Sequence, residues 1–432
     1  MKTSRWNDLD AAGRREALAR PAQRSDPGLQ ASVRAIVEDV RERGWAGLAA
    51  HALRIDDAVP RRIPVAAAAA TARAALSAEQ VAAMELAVRN IRAFHDGSLP
   101  GEHAVETMPG LVVRKVWRPI DRVGLYIPGG RTPLFSTLLM LALPAQAAGV
   151  RELVVTTPPD RRDGGLDPVV ALAAQLCGID AVWTAGGAQA IAALAFGAGD
   201  IPRVDKICGP GNAWVAEAKT LVASMPGGPA VDMPAGPSEL MVIADDSADP
   251  LTVAADLLSQ AEHDASAQVL LVTTSRTFAE AVEAQLARQV AALPRSAMAE
   301  ASLRGGAAIV TRSLEEAVEI ANLYAPEHLS LAVAEPGPLL PLVRNAGAIF
   351  AGHRAAETFG DYLAGSSHVL PTDGGARAWS GVSVHTFLKS IGVQTVTAEA
   401  AHRIAPAAAI LARLEGLEAH ARAADARLEV PA

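Results

Sequence analysis

The stretch Val123-Gly124-Leu125-Tyr126-Ile127-Pro128-Gly129-Gly130 reads as a short apolar strand halted by a proline and two glycines. Val, Tyr and Ile suit a buried pleated strand, and Pro-Gly-Gly ends it. A helical stretch follows at 136–148, and the pattern then repeats. Residues 153–157 form the next strand, with Pro168 opening a helix. Residues 181–184 lead through Gly186-Gly187 into the helix 188–196. Residues 204–208 lead through Gly209-Pro210-Gly211-Asn212 into the helix 213–224. Strand and helix in regular alternation predict a parallel sheet covered on both faces.

Downstream the alternation resumes. Strands are expected at 240–244, 269–273, 307–310 and 347–350, with helices at 278–292 and 314–324. A further helix starts at Asp249, an N-cap residue, followed by Pro250 at the first helical position. Upstream, Val33, Ile36, Val37 and Val40 recur at helical spacing, as do Met84, Leu86, Ala87 and Ile91. The alanine-rich run 65–76 is good helix material, and 111–116 reads as a strand. The chain beyond about 383 is rich in Ala, Arg and Glu and reads as helix. The predicted fold class is α/β: two Rossmann-like parallel-sheet domains, a small N-terminal arm and a helical C-terminal domain. The arm takes 1–25. One α/β domain takes 26–125 with 240–382, the other 126–239, and 383–432 is the helical segment.

The 432 residues leave room for several domains. Half are hydrophobic but only 4% aromatic, so Ala, Val and Leu must build the core. A net charge of −8 offers no basic footprint for nucleic acid. Cys177 and Cys208 sit among apolar neighbours without metal-ligand spacing, which predicts buried thiols and a reducing, cytoplasmic location. The N-terminus has no apolar secretory core. The charge-free run 132–150 is long enough to suggest a membrane span. Its prolines and polar residues, and its place between two strands, fit a helix buried on a sheet better, so no membrane is expected.

Chemistry-bearing residues gather at a few points. Three glycine turns follow strands, where open α/β sheets bind ligands and where backbone N–H groups can approach phosphates. None is the G-x-G-x-x-G fingerprint, and capping turns explain any one of them equally well. Gln260 and His263, three apart at a helix end, could share a cation such as Zn²⁺. By spacing alone they also fit a solvated polar helix end. Ala325-Pro326-Glu327-His328-Leu329 puts an acid beside a base. Asp361 and His368 lie in a glycine-bearing loop, and Glu415 and His420 flank Gly416 near the end of the chain. Each of these alone also fits an exposed polar turn or helix.

Taken in order, these pieces resemble the histidinol dehydrogenase family, from about residue 30 to the C-terminus. The resemblance rests on the opening octapeptide, Gly186-Gly187-Ala188-Gln189-Ala190-Ile191-Ala192-Ala193-Leu194-Ala195, Val204-Asp205-Lys206-Ile207 and Gly209-Pro210-Gly211-Asn212. It continues through Asp232-Met233-Pro234-Ala235-Gly236-Pro237-Ser238-Glu239, Ser259-Gln260-Ala261-Glu262-His263, Pro326-Glu327-His328-Leu329, Gly360-Asp361-Tyr362 and His368-Val369-Leu370-Pro371-Thr372. It implies a zinc enzyme that oxidises L-histidinol through the aldehyde to L-histidine with two NAD⁺, closing histidine biosynthesis. Gln260, His263, Asp361 and His420 would hold one Zn²⁺ per subunit. Tyr126, Gln189 and Asn212 would contact NAD⁺, making 126–239 the NAD-binding domain. Ser238, Gln260, His263, His328, Asp361, His368, Glu415 and His420 would border the substrate, and Glu327 and His328 would accept protons. It further implies an intertwined homodimer whose C-terminal segments complete each other's sites. Ala356 and Ser367 depart from the family's usual proline and asparagine, and Trp45 from its aspartate. The rival readings are a related zinc- and NAD-dependent dehydrogenase of another alcohol, such as a sulfonated diol, and a zinc hydrolase.

Overall fold

The computed structural model describes residues 1–20, 27–129, 134–233 and 236–429. Gly130, the start of the charge-free run at 132–133, and Pro234 and Ala235, all invoked above, lie outside them.

Two six-stranded sheets carry the architecture. In the first the strands lie side by side as Arg62–Pro64, Ala181–Thr184, Glu152–Thr157, Arg122–Tyr126, Lys206–Cys208 and Ala230–Val231, and only the outermost, Arg62–Pro64, is antiparallel to its neighbour. The second runs Lys2–Arg5, Ala307–Val310, Gln268–Thr273, Glu239–Ala244, His328–Ala332 and Ala348–Ala351, all parallel. The predicted pair of parallel sheets is therefore present.

The charge-free run became the helix Phe135–Ala147, with 136–145 all buried. Leu138, Leu139, Leu141 and Leu143 are each at most 1% exposed. Burying one such side chain is worth roughly 1.5–3 kcal/mol, so this helix anchors the first sheet's core. No helix among the described residues is long and apolar enough to cross a membrane. Both cysteines are buried and unpaired, and burial pushes the Cys177 thiol up to about 12.

Three expectations change. The helical segment before residue 97 does not join the second sheet. Arg62–Pro64 pairs with Ala181–Thr184, and helices Pro27–Arg43, Trp45–Asp56, Val65–Ala75 and Ala78–Asp96 pack on the helices of the first. Helical periodicity reveals a buried face, not what covers it. The small N-terminal arm is built into the second sheet. Lys2–Arg5 closes the edge of the second sheet against Ala307–Val310, and Trp6 is buried beside it. Finally, the C-terminal segment is not helical throughout. Leu388–Val396 is a strand, paired antiparallel with Leu111–Pro119, which also pairs with His103–Met108. Helices Ala398–Leu414 and Glu418–Asp425 follow as a hairpin.

The departures from the family pattern are absorbed locally. Trp45 stacks edge-on against Trp183 at 6.1 Å. Ser367 Oγ accepts the Val369 N–H at 3.1 Å and so braces the loop carrying His368. Ala356 is the N-cap of the short helix Glu357–Tyr362 and makes no side-chain cap.

Candidate functional site

The chain leaves the first sheet at the carboxyl end of Ala230–Val231 and enters the second at the amino end of Glu239–Ala244. A short connection thus brings the carboxyl edge of one sheet to the amino edge of the other. Thr137, on the helix that follows Arg122–Tyr126, lies with its Oγ1 3.4 Å from His368 Nε2 and marks the seam.

On the second sheet, His328 opens its strand level with Leu240. Glu327 and His328 are adjacent, yet both side chains turn inward and are about 95% buried. One backbone unit positions both. Glu239 N–H donates to Glu327 Oε2 at 2.8 Å, and the Glu239 carbonyl meets His328 Nδ1 at 3.1 Å. A carbonyl can only accept, so Nδ1 carries the proton and Nε2 keeps its lone pair. The Glu239 carboxylate is itself held in a fork by Arg20, at 2.5 and 2.9 Å, and Arg20 lies over the Tyr324 ring at 3.8 Å.

Carboxylates crowd this imidazole. Glu327 Oε2 is 3.6 Å and Glu357 Oε1 3.4 Å from Nδ1, while Asp361 Oδ1 is 3.7 Å from Nε2. His328, Glu357 and Asp361 present ligand atoms within 4.8 Å of one another, an arrangement able to hold a cation. Burial dominates their titration. It drives Glu327 and Glu357 well above the usual carboxylate range, reinforced by the neighbouring acids, and pushes Asp361 up to about 6 despite His263 nearby. The same burial lowers His328 to about 3. The Phe350 ring stacks on His328 at 5.9 Å.

The helix Pro250–Ala261 is capped by Asp249 as expected and packs on the helix Glu357–Tyr362. Ser259 Oγ donates to Glu357 Oε2 at 3.3 Å. The next residue, Gln260, is fully buried, and neither end of its carboxamide has a hydrogen-bond partner among the described residues. Buried amides are rarely left so, and a missing ligand is one of the few explanations. His263 lies just past the helix end, close enough to feel the charges of Asp361 and His368, and burial depresses its basicity. His368 Nδ1 donates to the Asp361 carbonyl at 2.9 Å. Ser238 is half-buried directly before Glu239.

The structure therefore groups His263, Glu327, His328, Asp361 and His368, with Gln260 alongside. It does not bring Glu415 or His420 to them. Both are exposed, Glu415 capping the helix Ala398–Leu414 and His420 within Glu418–Asp425. Glu357 is the residue that sequence reasoning missed. A signal existed: it precedes Asp361 by four, which places both on one face of a helix.

On the first sheet the expected NAD-contacting residues line the carboxyl edge. Tyr126 ends its strand, and its buried hydroxyl accepts the Gly187 N–H at 3.2 Å. Gln189 is fully buried in the following helix and donates to Asp56 Oδ2 at 3.1 Å. Asn212 caps the helix Ala213–Ser224 through Trp214 and Val215 N–H. Gly209 has φ +133, and a Cβ there would sit 2.1 Å from the Tyr126 carbonyl oxygen. Its N–H donates to Asp232 at 2.7 Å and its carbonyl accepts from Lys219 at 2.9 Å, while Lys219 and Asp232 form a buried ion pair. That clamp fixes the turn from behind and leaves its front free.

The profile of the histidinol dehydrogenase family matches residues 18–428. A histidinol dehydrogenase of Xanthomonas euvesicatoria is 48% identical over the whole of both chains. One of Xylella fastidiosa is 46% identical over 99% of each. The crystal structure of histidinol dehydrogenase from Elizabethkingia anophelis superposes with a TM-score of 0.95 at 39% identity, covering 99% of this chain and 98% of that one. The chain belongs to the histidinol dehydrogenase family.

Proposed function

We propose that the buried cluster at the amino edge of the second sheet is where this NAD-dependent oxidoreductase of histidine biosynthesis converts L-histidinol through L-histidinaldehyde to L-histidine. Nothing in the fold or the comparisons favours a diol dehydrogenase or a hydrolase. The single observation that carries the site assignment is His328. It is a buried neutral imidazole whose Nδ1–H is tied to a carbonyl, leaving Nε2 without a hydrogen-bond partner among the described residues.

Such a nitrogen is oriented to take the proton of a substrate hydroxyl. Glu327 beside it serves the second oxidation, taking a proton from the water that adds to the aldehyde. Burial raises its affinity for protons above that of an ordinary carboxylate, which makes its ionised form a stronger base. Each oxidation then starts with a hydroxyl next to His328, so one site performs both.

The donor set fits zinc. The unpaired Gln260 carboxamide, His263 and Asp361 supply neutral nitrogen or oxygen and one carboxylate. When bound, zinc would fix the substrate's imidazole and amine nitrogens, and NAD⁺ would accept the hydride. Tyr126, Gln189 and Asn212 are the proposed NAD⁺ contacts, and Ser238 and His368 border the substrate.

We assign Glu415 and His420, the latter as fourth zinc ligand, to the site of a second copy in a homodimer. Supporting this, both are exposed, on a hairpin that also exposes Ile410, Leu411, Leu414 and Leu417. The two buried free thiols support the cytoplasm as its place. The test is NADH formation from L-histidinol, with chelator and with Zn²⁺ restored. The expected result is two NADH per histidinol, lost on chelation and regained with zinc. Full turnover in metal-free enzyme would remove zinc from the site.

A further inference from the structure

The acceptor of the reaction has a second, remote half, and the topology says where it lies. In the first sheet the chain steps one way from Arg122–Tyr126 through Glu152–Thr157 to Ala181–Thr184, then reverses to Lys206–Cys208 and Ala230–Val231. Dinucleotides lie across the point of such a reversal. The reacting end must face His328 and His368. The adenosine end then falls on the other side, above Glu152–Thr157 and Ala181–Thr184.

A carboxylate waits there for which the fold gives little structural reason. Asp56 is the last residue of the helix Trp45–Asp56. A negative charge at a helix carboxyl end opposes the helix dipole, and Asp57 follows immediately. Asp56 is half-buried, and burial raises its proton affinity. One of its oxygens accepts from Gln189, and the other has no hydrogen bond among the described residues. Gln189 Oε1 is also unpaired. Asp160, by contrast, is engaged by Arg162 at 3.0 and 3.1 Å. Arg161 lies close enough to Asp56 to act on its charge.

We propose that Asp56, positioned by Gln189, receives the adenosine ribose hydroxyls and sets the preference for NAD⁺ over its 2′-phosphorylated form. A carboxylate accepts from a ribose diol and repels a phosphate in the same place. Removing its charge leaves Arg161 available to the extra phosphate.

The proposal rests on NAD⁺ contacting Gln189, so the experiment separates the two. Initial rates of L-histidinol oxidation are measured with NAD⁺ and with NADP⁺. Asp56→Asn, or Asp56→Ser if the amide folds poorly, is compared with Asp57→Asn, Gln189→Ala and Asp56→Asn/Arg161→Ala. The expected result is a fall in the NAD⁺/NADP⁺ ratio of kcat/KM on the order of tenfold or more in the Asp56 variants. Asp57→Asn keeps the parent ratio, and the double variant loses the gained NADP⁺ use. An unchanged ratio in the Asp56 variants, with KM for NAD⁺ raised by Gln189→Ala, overturns the role of Asp56 alone. If Gln189→Ala leaves KM for NAD⁺ at the parent value, the NAD⁺ contact and the proposal fall together.

Discussion

The two sheets share a core chemistry of Val, Leu, Ile and Ala, yet they meet the site from opposite ends. The first offers its carboxyl edge, shaped by glycine turns that side chains such as Lys219 and Asp232 fix from behind. The second offers its amino edge, where buried titratable side chains do the facing. Two buried histidines condense the contrast. His95, in the helix Ala78–Asp96 beside the first sheet, has neither ring nitrogen paired among the described residues, and the acid that acts on it is its own chain neighbour Asp96. His328 sits in a ring of three. Burial alone makes a histidine neutral; burial beside fixed acceptors and acids makes it useful.

Glu327→Gln should produce the largest effect. The amide keeps the shape and an oxygen to accept from Glu239, but gives up proton transfer. Aldehyde oxidation should fall by about 10²-fold or more while reduction of histidinal to the alcohol falls far less. Separate assays of the half-reactions decide, and equal losses would make Glu327 a support like Asp232. On the first sheet the corresponding damage is to the backbone. Gly209→Ala should cost about 2 kcal/mol or more of stability, because its Cβ would strike the Tyr126 carbonyl in a conformation that L-residues rarely adopt. Urea unfolding of the variant would read this out, and a parent-like midpoint would show that the turn can yield.

The smallest effect belongs to His95. Burial lowers it to about 4, so the unfolded chain binds its proton more readily than the folded one. Stability from this group is complete above the unfolded value near 6.5 and declines as pH falls toward 4. The loss reaches roughly 1.4 kcal/mol by pH 5.5. His95→Leu should flatten that part of the pH–stability curve. An unchanged slope would show that the His95 ring finds a partner.

Much of this was legible beforehand, for identifiable reasons. Strands of the first sheet such as Arg122–Tyr126 and Lys206–Cys208 are short, largely apolar runs followed by a glycine turn, and two-sided burial demands the apolar run. Asp249 and Pro250 announced their helix, and Gln260 and His263 its end. Three things were hidden. Leu388–Val396 has no buried residue, so nothing apolar alternates, and its partner Leu111–Pro119 lies far upstream. Lys2–Arg5 is a polar edge strand held by main-chain bonds that any side chains allow. The ring around His328 depends on Glu239 and His328 lying at the same edge of neighbouring strands, a register that sequence spacing does not encode. Glu357 was within reach of helical spacing, but only once Asp361 was placed on a helix.

Arg20 gives the N-terminal arm an unexpected stake in chemistry. It grips Glu239, whose main chain in turn grips Glu327 and His328. A chain shortened by its first twenty residues would therefore lose more than an edge strand. Glu239 would keep the Asp373 N–H and its place in the strand, but its buried carboxylate would lose its cation right beside the proton-transfer pair. The place to look for damage from an N-terminal truncation is in turnover, at the far end of the molecule's sequence from the cut.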